Sequence, residues 1–311
     1  MSFVVLRAIL GELRKFGSLE LNNLRDIDEI VDNAISSYLV GSESINIEEV
    51  HSEIKPIDDA ADEVASGEAD FTLLVPTPSL SPSSPPLLPV NPPLLPKCPI
   101  IFPGSFNPPH EGHLRLAHAA IEVVKERQNE IVTTSDHQNL IFELSITNPD
   151  KPPIPSKDVV ERVAGFFNER CAGFLPNNWG VLLTSAPLFA QKIKLFSSTL
   201  SSEGDSTGVR VYFVIGSDTM VRIIDPTYYD DDISKMLKAI DEMKHLGVHF
   251  IVGGRLEQKV MPGTIPKFIT GEEELFSSPL PKDLRGIFTL LGKDAFQVDL
   301  SSSEIRATFE G

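Results

Sequence analysis

The sequence predicts a doubly wound α/β fold, in which helices cover both faces of a parallel sheet. Three observations support this prediction: apolar β-rich runs, helical patterns between them, and the regular alternation of the two after residue 98. The strand-like runs lie at 100–102, 140–146, 181–184, 210–215, 248–252 and 296–300. Because strands that alternate with helices pair in parallel through right-handed crossovers, the ligand site of such a sheet is expected beyond the carboxyl ends of its strands.

The helices are predicted from apolar residues that recur at helical spacing. One face contains Leu114, Ala117, Ile121 and Val124, and a second contains Val159, Val163 and Phe166. A third helix is expected from Ile233 to Leu246, with Gly247 ending it. The aromatic residues Trp179 and Phe166–Phe167 are interpreted as core rather than as platforms for a stacked base.

Ahead of this domain, the sequence divides into two further segments. Residues 1–70 read as an acidic, mostly helical extension, and residues 71–96 as a proline-rich linker before a domain at 97–311. Nine prolines fall within the twenty-one residues from Pro76 to Pro96, so this tract is expected to stay outside any sheet or helix. A docking site for a proline-binding module is the alternative interpretation of the tract.

Composition excludes several classes of protein. The net charge is −17, and residues 1–96 hold five Lys or Arg against sixteen Asp or Glu, so general nucleic-acid binding is not expected. No apolar run approaches the roughly 20 residues of a membrane span, and no membrane partner is expected. Two cysteines, Cys98 and Cys171, suit a reducing compartment. A cytoplasmic location is expected, with the nucleus as an alternative, rather than mitochondria.

A strand, a tight turn and a helix start are predicted around Gly104-Ser-Phe-Asn-Pro-Pro-His-Glu-Gly-His113. His110 and His113 fall in or near the first helical turn, where free N–H groups and the helix dipole favour an anion. Imidazoles there add donors whose charge can adapt near neutral pH, so the pattern favours a phosphate site. A zinc site and a purely structural cap are the alternatives, but neither cysteine nor any other histidine is spaced to join the pair.

A second group of donors lies near the end of the chain. Asp299-Leu-Ser-Ser-Ser-Glu-Ile-Arg306 follows another strand-like run and places three hydroxyls and a guanidinium at a predicted helix start. If that strand is parallel to the others, these donors meet the histidine turn at the same edge of the sheet and form a polyphosphate site.

Together the two stretches resemble the nucleotidylyltransferase superfamily marked by an H-x-G-H signature, here His110-Glu-Gly-His113. Within this superfamily, Asn107 before the prolines resembles nicotinamide and nicotinate mononucleotide adenylyltransferases, whereas many cytidylyltransferases have Asp at that place. Leu300-Ser-Ser-Ser-Glu-Ile-Arg306 resembles the second signature of these enzymes, and the resemblance covers about residues 98–306. It implies a Rossmann-like nucleotidylyltransferase fold, and residues 1–70 then resemble the remnant of an upstream domain.

The resemblance also implies the chemistry and its residues. AMP from ATP would be joined to nicotinamide or nicotinate mononucleotide in NAD biosynthesis, with pyrophosphate released and Mg²⁺ carried by ATP rather than by protein ligands. The implied catalytic residues are His110, His113 and Arg306. The implied ATP-binding residues are Gly104, Ser105, Phe106, His110, His113, Gly216, Asp218, Ser302, Ser303 and Arg306. The implied acceptor-binding residues are Asn107, Lys151, Arg162 and Arg255, and Ser185–Phe189 with Lys192 is expected to border the same pocket.

Several alternatives stay open. Asp218 could instead cap the following helix, and Arg162 and Lys151 could be solvated surface residues. The protein could transfer to another phosphorylated acceptor, regulate as an inactive nucleotide binder, or act as an adaptor through the proline tract. On the transferase interpretation, catalysis is expected to survive deletion of residues 1–96. The choice between the amidated and the acid mononucleotide and the oligomeric state stay open.

Overall fold

The computed structural model describes ten stretches of the chain: 47–77, 87–90, 95–128, 140–147, 152–167, 175–176, 178–196, 199–200, 208–256 and 268–294. The strands are β1 Phe71–Pro76, β2 Leu87–Pro89, β3 Ile100–Pro103, β4 Leu140–Ser145, β5 Trp179–Thr184, β6 Val211–Gly216, β7 Val248–Gly253, β8 Arg255–Leu256, β9 Phe268–Ile269 and β10 Phe288–Leu290. The helices are α1 Ile47–Ser66, α2 Glu111–Gln128, α3 Ser156–Ala164, α4 Phe189–Phe196, α5 Ser217–Ile223, α6 Ile233–His245, α7 Glu272–Ser277 and α8 Lys282–Arg285. Short 3₁₀ turns lie at Gly165–Phe167 and Pro226–Tyr229.

Eight of the described strands form one sheet in the order β10-β7-β6-β3-β4-β5-β1-β2, and β8 pairs with β9 separately. The six strands from β10 to β5 are parallel to one another. This arrangement confirms the predicted doubly wound, Rossmann-like α/β fold. Five of the six predicted strands are confirmed to within two residues at each end, and the sixth, 296–300, lies outside the described residues.

Helices cover both faces of the sheet, as alternation along β3 illustrates. Ile100 and Phe102 point to the layer that contains α1, α2 and α3, whereas Ile101 points to the layer that contains α4 to α8. The predicted apolar faces of α2 and α3 and the residues Phe166 and Trp179 are all buried. The third helix ends as predicted: Gly247 has a φ of 75°, a conformation that glycine adopts without strain.

The expectation that the proline tract stays outside any sheet is wrong for its described strands. β1 pairs antiparallel with β5, and Leu87–Pro89 then pairs antiparallel with the end of β1. Pro89 is tolerated because β2 is the last of the described strands in the sheet order, where a missing N–H leaves no interior ladder bond unmade. Leu87 is fully buried, while Leu88 and Pro89 are exposed. The sheet therefore includes strands from both sides of the predicted boundary at residue 96.

Helix α1 belongs to the same hydrophobic core. Its buried face, Ile57, Ala60, Ala61 and Val64, lies in one cluster with Val159 of α3. The carboxyl group of Asp58 also makes a hydrogen bond with Ser156, the first residue of α3. Deleting residues 1–96 would remove this helix and expose the edge of β5, so the structure no longer supports the expectation that catalysis survives that deletion. Among the described helices, none is long and apolar enough to cross a membrane.

We predict that Val64→Asp destabilises the whole domain, because Val64 is 1% exposed and a charge there would have no partner. The expected loss is about 3–5 kcal/mol in the free energy of unfolding, measured by urea titration. The matched control is Ala65→Asp, which introduces the same side chain at the exposed neighbouring position. Equal, small effects of the two substitutions would contradict the packing of α1 against the sheet.

Candidate active site

The candidate site lies where the order of strand addition reverses. From β3 the chain adds β4 and β5 on one side, then returns to add β6, β7 and β10 on the other. In parallel sheets a crevice forms at such a reversal, beyond the carboxyl ends of the strands. The turns that follow β3, β6 and β7 carry Gly104–His113, Gly216–Asp218 and Gly253–Arg255, so most described candidate residues meet at this crevice.

The turn after β3 is built around a buried ring. Phe106 is 1% exposed and has a φ of 44°, which is uncommon for an aromatic residue. A Cβ atom on Gly104 would lie 2.7 Å from that ring, so glycine is required at position 104. The N–H of Gly104 donates to the carbonyl of Glu143 on β4, at 3.0 Å. Because the Phe106 ring is buried, only its backbone is available to a nucleotide, whereas Ser105 and Asn107 are exposed.

The same ring supports the second histidine. The His113 ring lies edge-on to Phe106 at 5.1 Å and to Phe102 at 5.9 Å between ring centroids. Phe106 in turn packs on Phe142 and Phe166. This stack of buried rings sets the position of His113 at the start of α2, so the core and the candidate site share side chains.

Backbone hydrogen bonds determine the tautomer of both histidines. The N–H of His110 donates to Nδ1 of His113 at 3.2 Å, and the N–H of Gly112 donates to Nδ1 of His110 at 3.1 Å. An accepting Nδ1 carries no proton, so each neutral ring carries its proton on Nε2. The ring centroids are 3.8 Å apart, which makes the two histidines one unit.

Both rings are held neutral. Burial lowers the pKa of His110, and burial together with the nearby His110 lowers the pKa of His113 to about 3. The sequence suggested rings whose charge adapts near neutral pH, but His113 stays uncharged there. The histidine pair therefore offers two N–H donors at the N-terminus of the 18-residue helix α2, rather than two cations.

Asp218 and Arg255 come together from neighbouring strands. Nε of Arg255 donates to Oδ1 of Asp218 at 2.9 Å, with side chains 41% and 60% exposed. The alternative that Asp218 caps the following helix is wrong, since Gly216 occupies the N-cap position. An exposed pair of this kind adds little stability, and both side chains remain accessible to solvent.

Arg162 is tied to the turn after β3 rather than simply solvated. It lies in the last turn of α3, and its guanidinium donates to the carbonyl of Ser105 at 3.2 Å. The remaining candidates, Lys151, Ser302, Ser303 and Arg306, lie outside the described residues. Within the residues that the structure does describe, no three His, Cys, Asp or Glu side chains are grouped so that they could hold a metal ion.

A buried charged group near this edge did not figure among the candidates. Glu143 of β4 is paired with Lys192 of α4, and both side chains are almost fully buried. The available signal was Glu143 itself, a carboxylate within the apolar strand Leu-Ile-Phe-Glu-Leu-Ser145. Lys192 was expected only at the border of an acceptor pocket.

The neutral state of His113 predicts a loss of stability in acid. The pKa of about 3 in the folded protein lies below the roughly 6.5 of an unfolded histidine, so the unfolded chain takes up the proton first as the pH falls. The contribution of His113 to the free energy of unfolding is fully present above about pH 6.5. It declines as the pH falls from about 6.5 to about 3, and the loss reaches about 2 kcal/mol at pH 5.

Urea unfolding of wild type and His113→Asn at pH 7 and pH 5 measures this effect. Between pH 7 and pH 5, the free energy of unfolding should fall less in the variant than in wild type, by about 2 kcal/mol. The control is His245→Gln, a substitution of an exposed histidine, which should show the same fall as wild type. A His113→Asn protein with the wild-type pH dependence would contradict the burial of a neutral ring.

Comparison with known proteins agrees with this geometry. The model of the cytidylyltransferase-like family matches residues 101–308, which is more than half of the chain and spans the turns after β3, β6 and β7. No curated protein matches the chain. The chain belongs to the cytidylyltransferase-like family, whose members of the H-x-G-H type are nucleotidyltransferases.

Proposed function

We propose that this protein joins the AMP moiety of ATP to nicotinamide or nicotinate mononucleotide and releases pyrophosphate, a step of NAD biosynthesis. The observation that supports a phosphate reaction most strongly is the pair of neutral histidines. Nδ1 of each ring accepts a backbone N–H, so the proton lies on Nε2, where it can be donated to a phosphate oxygen. The choice of acceptor is supported by Gly104-Ser-Phe-Asn-Pro-Pro-His110, in which Asn107 resembles the mononucleotide adenylyltransferases.

In this reaction the 5′-phosphate of the mononucleotide attacks the α-phosphorus of ATP, and the bond from that phosphorus to the bridging oxygen of pyrophosphate breaks. No protein nucleophile is needed, so catalysis depends on positioning and on stabilising charge. His110 and His113 would donate from Nε2 to the phosphate oxygens, and the N-terminus of α2 adds its dipole. Because the rings are neutral, they stabilise developing negative charge as hydrogen-bond donors.

Other residues complete the proposed site. Asp218 would hold ribose hydroxyls of ATP, and its Arg255 partner would face the acceptor. Arg162 and Lys151 would also bind the acceptor, while Ser302, Ser303 and Arg306 would bind the departing β- and γ-phosphates. Mg²⁺ carried by ATP would neutralise part of the charge on the phosphates.

A second candidate is transfer to another phosphorylated acceptor. The family match concerns nucleotidyl transfer in general and contains nothing specific to a pyridine ring. An inactive nucleotide-binding regulator is less well supported, because His110, His113, Ser302, Ser303 and Arg306 are all present in the sequence.

The reaction is tested by pyrophosphate release in the presence of Mg²⁺, with each mononucleotide in turn and with ATP or CTP as donor. We expect release with ATP and at least one mononucleotide, and a dinucleotide product identified by its mass. Pyrophosphate release with CTP but not with ATP as donor would contradict the proposed reaction, and so would the absence of release with both mononucleotides.

Two substitutions of His113 separate its Nε2 donor from its Nδ1 acceptor. Asn can still accept from the N–H of His110 but has no donor at the Nε2 position, whereas Gln places an amide N–H near that position. We expect His113→Asn to lower kcat by about 10²- to 10³-fold and His113→Gln to lower it less. Melting curves of both variants provide the control for folding. Equal kcat values for Asn, Gln and wild type would exclude a role for the Nε2 donor.

A further inference from the structure

A buried ion pair lies at the carboxyl edge of the sheet, on the face opposite helix α2. Nζ of Lys192 is 2.6 Å from Oε1 of Glu143, and the two side chains are 3% and 1% exposed. The hydroxyl of Thr184, at the end of β5, donates to the same carboxylate oxygen. Glu143 points away from α2 because its neighbour Phe142 lies in the core layer that contains α2.

Such a pair is not explained by stability alone. Removing two charges from water costs about as much as their attraction returns, and apolar residues of similar volume often stabilise a protein equally well. A buried pair does, however, impose a defined geometry on the segments that supply it.

The segment that this pair holds is the turn 185–188 between β5 and α4. Nζ of Lys192 also donates to the carbonyl of Ala186 at 2.6 Å. The hydroxyl of Thr147, just after β4, donates to the carbonyl of Ser185 at 2.6 Å. From the other side, the hydroxyl and the N–H of Ser185 donate to the carbonyl of Asp70, at 3.1 and 3.2 Å. The turn is thus fixed by β4, by α4 and by the segment that precedes β1.

Under the proposed function ATP is held on the β6 side of β3, so the side that carries this turn is left for the acceptor. Ile146, the neighbour of Thr147, accepts a hydrogen bond from the N–H of Ile154 at 2.8 Å, just before helix α3, which carries the proposed acceptor residue Arg162. Glu143 itself accepts from Gly104 through its backbone, so one residue links the turn after β3 to the turn after β5. Gly216 and Asp218 lie on the other side of β3, at the end of β6. Within the turn 185–188, Leu188 is 55% exposed, so it presents an apolar side chain at the surface.

We propose that the Lys192–Glu143 pair positions the 185–188 turn as one wall of the acceptor subsite, with Leu188 as the apolar surface offered to the ring of a mononucleotide. Lys192 and Glu143 are positioning residues, since they act through the turn and do not touch the substrate. The inference rests on the proposed function. It predicts that binding of the acceptor depends on the pair, while binding of ATP does not.

The test is the double variant Glu143→Leu with Lys192→Met, which removes both charges and leaves neither one buried alone. We expect a melting temperature near that of wild type, a KM for the mononucleotide raised about tenfold or more, and a KM for ATP changed less than about twofold. The matched control is Lys194→Met on the exposed side of the same helix, which should leave both KM values unchanged.

Each other outcome also decides the matter. A folded double variant with an unchanged acceptor KM, or with equal rises for ATP and acceptor, overturns the inference. If the double variant does not fold, Thr147→Val removes one bond to the turn, and the same selective rise in acceptor KM is required. A wild-type protein that transfers nothing to either mononucleotide overturns the proposed function and the inference together.

Discussion

The reversal of strand order at β3 is the constraint on which the rest of the structure depends. Strands added to one side bring the turn after β5 to the carboxyl edge, and strands added to the other side bring the turns after β6 and β7 to the same edge. Among the described strands, only β3 has neighbours from both halves. The histidine turn follows that strand, so it can face donors that come from residues more than a hundred positions away.

The packing of aromatic rings converts this topology into a chemical property. Phe102 and Phe106 pack against the His113 ring, and Phe142 and Phe166 pack on Phe106 behind it, so one side of the imidazole is shielded from water. Desolvation disfavours the charged form, and the bond from the N–H of His110 fixes the proton of the neutral ring on Nε2. The aromatic side chains therefore stabilise the fold and keep the ring neutral, while the backbone bond determines which nitrogen can donate to a ligand.

Much of the fold follows from local sequence patterns, whereas its edge does not. The apolar period of α2 and the strand β3 were predictable because each buries one pattern against one sheet. The strands β1 and β2 were missed because proline density argues against a sheet in general, yet an edge strand leaves its outer N–H positions unused. The local sequence of β1 and β2 does not indicate that β5 has an edge to which they can pair.

The candidate site shows a similar division. His110, His113, Asp218 and Arg255 could be proposed from short motifs, because each motif sits at the end of a recognisable strand, but the contact between Asp218 and Arg255 was not predicted. The Lys192–Glu143 pair could not, since its partners are 49 residues apart and meet only through the crossing of α4 over β4. A carboxylate within an apolar strand signals that a partner exists but does not identify it.

The central claim is that His110 and His113 are neutral Nε2–H donors that face phosphate. Nitrogen-15 NMR of the histidine side chains at pH 7, with and without ATP and Mg²⁺, tests it most directly. The account predicts that Nδ1 of both rings is unprotonated, that Nε2 carries the proton, and that ATP shifts the Nε2 resonances of both rings. Protonated Nδ1 atoms, a charged His113, or Nε2 resonances that ATP leaves unmoved would contradict it.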